Sequence, residues 1–203
     1  IQGNLIGTDV TGTIKIPNNL GIQAFATNIL VGGLTPGARN VISGNQGTGV
    51  DIRGAGSKVQ GNFIGTDITG TLALGNNGSG VSAGDDVLVG GTVPEARNII
   101  SANGAFGSGN VSLGPNFSST GATVRGNYIG TDVSGTRALS GTTPGIRIFN
   151  SNNIIRGTVA GAGNVISGNS IGIQLGVFSS GMVGNIVQGN LIGLNASGNG
   201  AVP

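Results

Sequence analysis

The chain has 203 residues, of which 43 are Gly and only 16 are charged, and its formal net charge is +2. It contains no Cys, His or Trp, which removes the usual zinc sites, thiol nucleophiles, Ser-His triads and histidine acid–base chemistry. No Lys/Arg cluster or aromatic platform suits nucleic acid, and no apolar run reaches the roughly 18 residues of a membrane span, so neither nucleic-acid binding nor membrane insertion is expected.

Taken in chain order, the predicted elements repeat. A first phrase, A, reads Ile1-Gln2-Gly3-Asn4-Leu5-Ile6-Gly7-Thr8-Asp9 and returns from Val59, Val124 and Val187, the last copy ending Gly193-Leu194-Asn195. A second phrase, B, lies between its copies: Arg39-Asn40-Val41-Ile42-Ser43-Gly44-Asn45, then from Arg97, then from Gly163 with Gly in place of Arg. Short alternating strands stand beside these phrases, centred on Ile22/Ala24, Val50/Ile52, Val81/Ala83, Val111/Leu113, Ile146/Ile148 and Ile173/Leu175. Their first members are 28, 31, 30, 35 and 27 residues apart, which fits one circuit of a three-stranded coil with variable loops. Gly is at about three times its usual frequency and has no collagen period, so it marks many tight turns between many short strands.

Stacked at this spacing, the sequence forms columns. One reads Ile1, Leu30, Val59, Leu88, Val124, Ile155, Val187. A glycine column reads Gly3, Gly32, Gly61, Gly90, Gly126, Gly157, Gly189. A third column is all isoleucine: Ile6, Ile42, Ile64, Ile100, Ile129, Ile166, Ile192. Apolar columns are what a parallel sheet wound into a coil requires, with each strand pairing with its equivalent one circuit away at ~4.8 Å. Six to seven coils follow. Asn4, Asn62, Asn127 and Asn190 are expected to form a structural ladder at a corner on alternate coils, with Gly33, Gly91 and Thr158 between them, because Asn tolerates left-handed backbone and satisfies backbone groups at a bend. Beside the isoleucines runs a second apolar column: Leu5, Val41, Phe63, Ile99, Tyr128, Val165, Leu191. Strict alternation would turn it outward, as a contact stripe or a seat for a packed loop; a bend at the Asn corner would turn it partly inward, and the bend is the favoured expectation.

The alternation of V-x-G-N-x-I-G-T-D and R-N-V-I-S-G-N phrases resembles the right-handed parallel β-helix repeats of large bacterial secreted and surface proteins, within the broad pectin-lyase-like superfamily. The resemblance covers essentially the whole chain. It implies an all-β, right-handed, single-stranded parallel β-helix over residues 1–203, three short strands per coil, as one domain of a longer extracellular or cell-surface protein. The same coil carries lyases, hydrolases, tail spikes, adhesins and spacers, so the resemblance is specific for fold and poorly specific for function.

Few residues are candidates for chemistry. Asp9, Asp67 and Asp132 each precede a Gly-containing turn and are expected to cap it; Ca²⁺ ligation is the alternative, although one carboxylate per loop is little charge for calcium. No other cofactor is expected. The outward positions of the alternating strands read Gln23, Asp51, Ser82, Ser112, Arg147, Gln174. Asp51, Arg53, Asp85 and Asp86 could share one face there, and the resemblance implies that such a group could act on acidic polysaccharide. Against this, Asp51 and Arg53 have the spacing of a strand-surface ion pair, and Asp86 aligns with Asn28 and Asn153 as a turn residue. Arg39 and Arg97 are expected to bond carbonyls or an Asp of the adjacent coil, with contact to an anionic glycan as the alternative. The expected role is a structural or adhesive rod, binding a carbohydrate or cell-surface ligand and associating end to end or laterally, rather than an enzyme.

Overall fold

A computed structural model describes residues 1–104, 108–114, 121–139, 142–176 and 181–203. The chain winds as a parallel β-helix with three strands per coil. A seven-stranded sheet stacks Leu5–Ile6, Val41–Ile42, Phe63–Ile64, Ile99–Ile100, Tyr128–Ile129, Val165–Ile166 and Leu191–Ile192 in chain order. A second sheet of six strands stacks Ile22–Ala24, Val50–Ile52, Val81–Ala83, Val111–Leu113, Pro144–Ile148 and Ile171–Leu175. The third, also of six, stacks Leu30–Gly32, Lys58–Gln60, Leu88–Gly90, Thr123–Arg125, Ile154–Arg156 and Ile186–Gln188. All strand pairings within the sheets are parallel, each strand pairing with its counterpart one coil away. The only helical elements among the described residues are two 3-10 turns, Pro36–Ala38 and Pro94–Ala96, each opened by the proline whose fixed φ suits a helix start.

The isoleucine column stacks as expected: Ile6, Ile42, Ile64, Ile100, Ile129, Ile166 and Ile192 pair in unbroken register. With the inward residues of the other two sheets it forms one continuous core. Branched aliphatics suit this interior because like side chains pile on like.

Two columns shift by one residue in the first two B coils. Val59 pairs with Val31 and Val89, not with Leu30 and Leu88, and Val124 pairs with Val89. The core column is therefore Val31, Val59, Val89, Val124, Ile155, Val187. Leu30 and Leu88 face outward in a row with Lys58 and Thr123. The glycine that meets Gly61 is correspondingly Gly33, and the one that meets Gly126 is Gly91: a Cβ on Gly61 would lie 2.2 Å from Gly33 O, and one on Gly126 would lie 2.1 Å from Gly91 O. Two consecutive glycines in the first two B coils, Gly32-Gly33 and Gly90-Gly91, allow either alignment; the outward Lys58 fixes the alternation.

The second apolar column also departs from the favoured expectation. Val41, Phe63 and Ile99 are buried in a cluster separate from the core, with Tyr128 packed against them. Alternation holds, and the stripe faces outward. It is covered from outside by the loops after each A phrase and by arginines of the B phrases. Gly70 lies against the Phe63 ring and Gly135 against Tyr128. The Arg39 guanidinium sits 4.3 Å from the Phe63 centroid and that of Arg97 4.2 Å from Tyr128. Both arginines also donate through Nε to a carbonyl of the next coil, Gly61 O at 3.1 Å and Gly126 O at 3.2 Å. In the third copy Gly163 replaces the arginine where the stripe ends in aliphatic Leu191, so cation and aromatic disappear together.

Candidate functional site

The polar residues that recur most often are bonded to the coil itself. The asparagine ladder is continuous, with no gap at alternate coils. Asn4, Asn40, Asn62, Asn98, Asn127, Asn164 and Asn190 each stand on successive coils, and each Nδ2 donates to the Oδ1 of the next at 2.8–3.1 Å. The first Asn of each B phrase takes the place expected for Gly33, Gly91 and Thr158. Each Oδ1 also accepts the backbone N–H of the Asn below it, as Asn98 does from Asn62 at 3.0 Å. The second Nδ2 proton goes to a carbonyl such as Val59 O, 2.8 Å from Asn98. Both halves of the amide are thereby satisfied in a dry corner. A second ladder runs Asn18, Asn45, Asn76, Asn103, Asn110, Asn169. Asn110, seven residues after Asn103, fills the rung between Asn103 and Asn169.

The Asp loops are self-contained. Asp67 Oδ1 accepts the N–H groups of Thr71 and Leu72 at 3.0 and 2.9 Å, and Oδ2 accepts the Thr69 hydroxyl at 2.6 Å. Asp9 repeats this with Thr13, Ile14 and Thr11. Asp132 bonds Ser134 and the N–H groups of Thr136 and Arg137, and lies 3.7 Å from Arg137 Nε. The Thr11 hydroxyl, then the Ile14 N–H, lower the Asp9 carboxyl to a pKa of about 2. Burial alone would raise Asp67, but the bonds from Thr69, Leu72 and Thr71 outweigh it and the net shift is downward. Asn195 keeps the geometry without the charge, its Oδ1 accepting from Asn199 and Gly200. The loops also stack on alternate coils: Ile68 N–H donates to Gly12 O, Val133 to Gly70 O and Ala196 to Gly135 O, at 2.9–3.0 Å. No three Asp or Glu residues come together as a metal site among the described residues.

On the outer face of the second sheet the row Gln23, Asp51, Ser82, Ser112, Arg147, Gln174 is in register. Asp51 and Arg53 form a bidentate pair, Nε to Oδ1 at 2.9 Å and Nη2 to Oδ2 at 2.8 Å. Ser82 adds a weaker bond to Asp51 Oδ1 at 3.3 Å. Arg147 in this row and Arg53 just beyond it lie over phenylalanines, Arg53 at 5.0 Å from Phe25 and Arg147 at 5.2 Å from Phe149. Asp51, Arg53, Ser82, Ser112 and Arg147 line a shallow depression of ≈ 290 Å³.

Asp85 and Asp86 lie at the next corner. Asp86 is exposed and left-handed, φ 50°, in a column with Asn28 at 58° and Asn152 at 62°; the third member is Asn152 rather than Asn153. Asp86 lines a different depression, with Thr123 and Arg125. Asp51 and Arg53 are thus brought together, whereas Asp86 is a turn residue on another face. As a base, Asp51 would first have to leave the Arg53 fork that holds both its oxygens.

Aligning A and B through their glycines hides the residues of B that complete the ladder, Asn40, Asn98 and Asn164. The signal for them is Asn followed by two apolar residues, which occurs in both phrases. The fold and site define the class as a parallel β-helix with internal asparagine ladders. No family model matches the chain, and no curated protein or solved structure is significantly similar to it.

Proposed function

We propose that this chain is a structural and adhesive rod segment of a secreted or cell-surface protein, without catalysis of its own. One observation carries the reading: the recurring Asn and Asp side chains have their donors and acceptors occupied by neighbouring coils or their own loops. Side chains so bonded build and stiffen a rod and leave little free acid–base capacity. The repeat phrases and the coil agree with membership of the pectin-lyase-like superfamily, and an extracellular site goes with that membership. The lateral faces would meet a carbohydrate or cell-surface ligand. Copies of the chain would associate end to end through the exposed ends of the core columns, Val187 and Ile192, or laterally.

The alternative is a polysaccharide-active enzyme at Asp51, Arg53, Asp85 and Asp86. Incubation with pectate and alginate, with and without Ca²⁺, separates the two readings. The rod reading expects no unsaturated or shortened product. Product formation that disappears in Asp51→Asn would replace it with the enzyme.

A further inference from the structure

One polar pair is not explained by the lattice. On the third sheet, the position after the core residue reads Gly32, Gln60, Gly90, Arg125, Arg156, Gln188 from coil to coil. In A coils this position is otherwise glutamine: Gln2, Gln60 and Gln188. Gln2 and Gln60 each donate Nε2 to a glycine carbonyl one coil on, Gly32 O at 3.0 Å and Gly90 O at 2.8 Å. In B coils it is otherwise glycine. Arg125 and Arg156 are the departures from these two patterns, and they fall on neighbouring rungs, ~4.8 Å apart along the coil.

Two like charges facing each other across paired strands repel. Among the described residues no carboxylate forms an ion pair with either. The ion pairs among the described residues are Arg53–Asp51 and Arg137–Asp132, both elsewhere. Asp86 shares a depression with Arg125 but lies beyond ion-pair distance. The Arg125 Nε is buried with no hydrogen-bond partner. Arg156 is oriented by Thr158, whose Oγ1 accepts from its Nε at 3.1 Å. The two arginines, Thr123 and Thr158 line a depression of ≈ 280 Å³, with Ile154 and Val159 as an apolar wall. The corresponding depression in the first repeat, beneath the loop that includes Leu34 and Thr35, is lined by Gln2, Lys58 and Gln60 at the matching positions, with Asn28 beside them. The coil therefore makes this groove more than once, and the third repeat equips it with two guanidinium groups.

We infer that the Arg125–Arg156 depression is an oxyanion-binding site. Its ligand carries a carboxylate, sulfate or phosphate group on a compact body that rests on Ile154 and Val159. Guanidinium groups match the paired oxygens of such anions, and a bound oxyanion removes the repulsion between them.

The test is calorimetric titration of the full chain with sodium sulfate, phosphate and acetate, against sodium chloride at matched ionic strength. Saturable binding with a Kd on the order of 1 mM or tighter is expected for at least one oxyanion and not for chloride. Preference for sulfate or phosphate identifies a tetrahedral group, and preference for acetate a carboxylate. Arg125→Gln and Arg156→Gly restore the residues that the repeat uses on other coils, so the fold is retained. Each should weaken binding about tenfold or more, and Lys58→Ala in the first-repeat groove should not change it. Chloride and oxyanions behaving alike, or both arginine variants binding like the parent, would overturn the site.

Discussion

At the scale of the residue, most side chains that look chemical are explained by the backbone groups they satisfy. The Asp loops show this most directly, because Asn195 keeps the same backbone acceptor role without a charge. Asp67→Asn, which keeps the acceptor but gives up the charge, should cost under about 1 kcal/mol at pH 7. Asp67→Ala, which strands the N–H groups of Thr71 and Leu72, should cost about 1–3 kcal/mol by chemical denaturation. The pH dependence follows from the depressed carboxyls of Asp9 and Asp67. A folded pKa below the unfolded value of ~3.9 gives stability that is complete above that value. This stability is lost as pH falls through the folded pKa, about 2 for Asp9. Thermal melts should lose stability between about pH 4 and pH 2 through these two groups. The double variant Asp9→Asn/Asp67→Asn should lose less over that interval; an unchanged slope would place the acid sensitivity elsewhere.

At the scale of the element, register and ladder give separable expectations. Val89 is fully buried in the core column, while Leu88 is only half-buried on the outward row. Val89→Ala should cost roughly 1–3 kcal/mol and Leu88→Ala under about 1 kcal/mol, the reverse of what residue size alone suggests. Asn98 sits mid-ladder and joins Asn62, Asn127 and Val59 O. Asn98→Ala leaves several buried groups unpaired and should cost about 3 kcal/mol or more, and Asn98→Asp should not rescue it, because a carboxylate has no N–H to pass up the ladder. Asn4 is exposed at the ladder's end, so Asn4→Ala should cost under about 1 kcal/mol. Equal losses at Asn4 and Asn98, read from denaturation midpoints, would mean that the ladder contributes little.

At the scale of the whole molecule, each coil contacts its neighbours and, through the Asp loops, the coil two rungs away, so stability is distributed along the axis rather than centred on one point. Amide exchange should be slowest in the middle coils, around Phe63–Ile64 and Ile99–Ile100, and fastest in the first and last, where Ile1, Leu5, Ile186 and Ile192 are exposed.

The coil, its three strands per circuit, the isoleucine column and the Asp-capped loops are legible in the order of residues, because each is a local phrase that recurs with its own turn chemistry. Asp51 with Arg53 was legible for the same reason: two residues apart on one strand, they must share a face. The tertiary structure alone decided what depends on how one coil sits on the next. It moved the core column from Leu30 and Leu88 to Val31 and Val89, closed the ladder through Asn40, Asn98 and Asn164, and turned the Phe63–Tyr128 stripe outward beneath loops and arginines. It also set Arg125 against Arg156, residues from different phrases that meet only because parallel strands stack in register. A strand's period of two leaves its facing ambiguous by one residue wherever glycines adjoin, and only the packed neighbour removes that ambiguity.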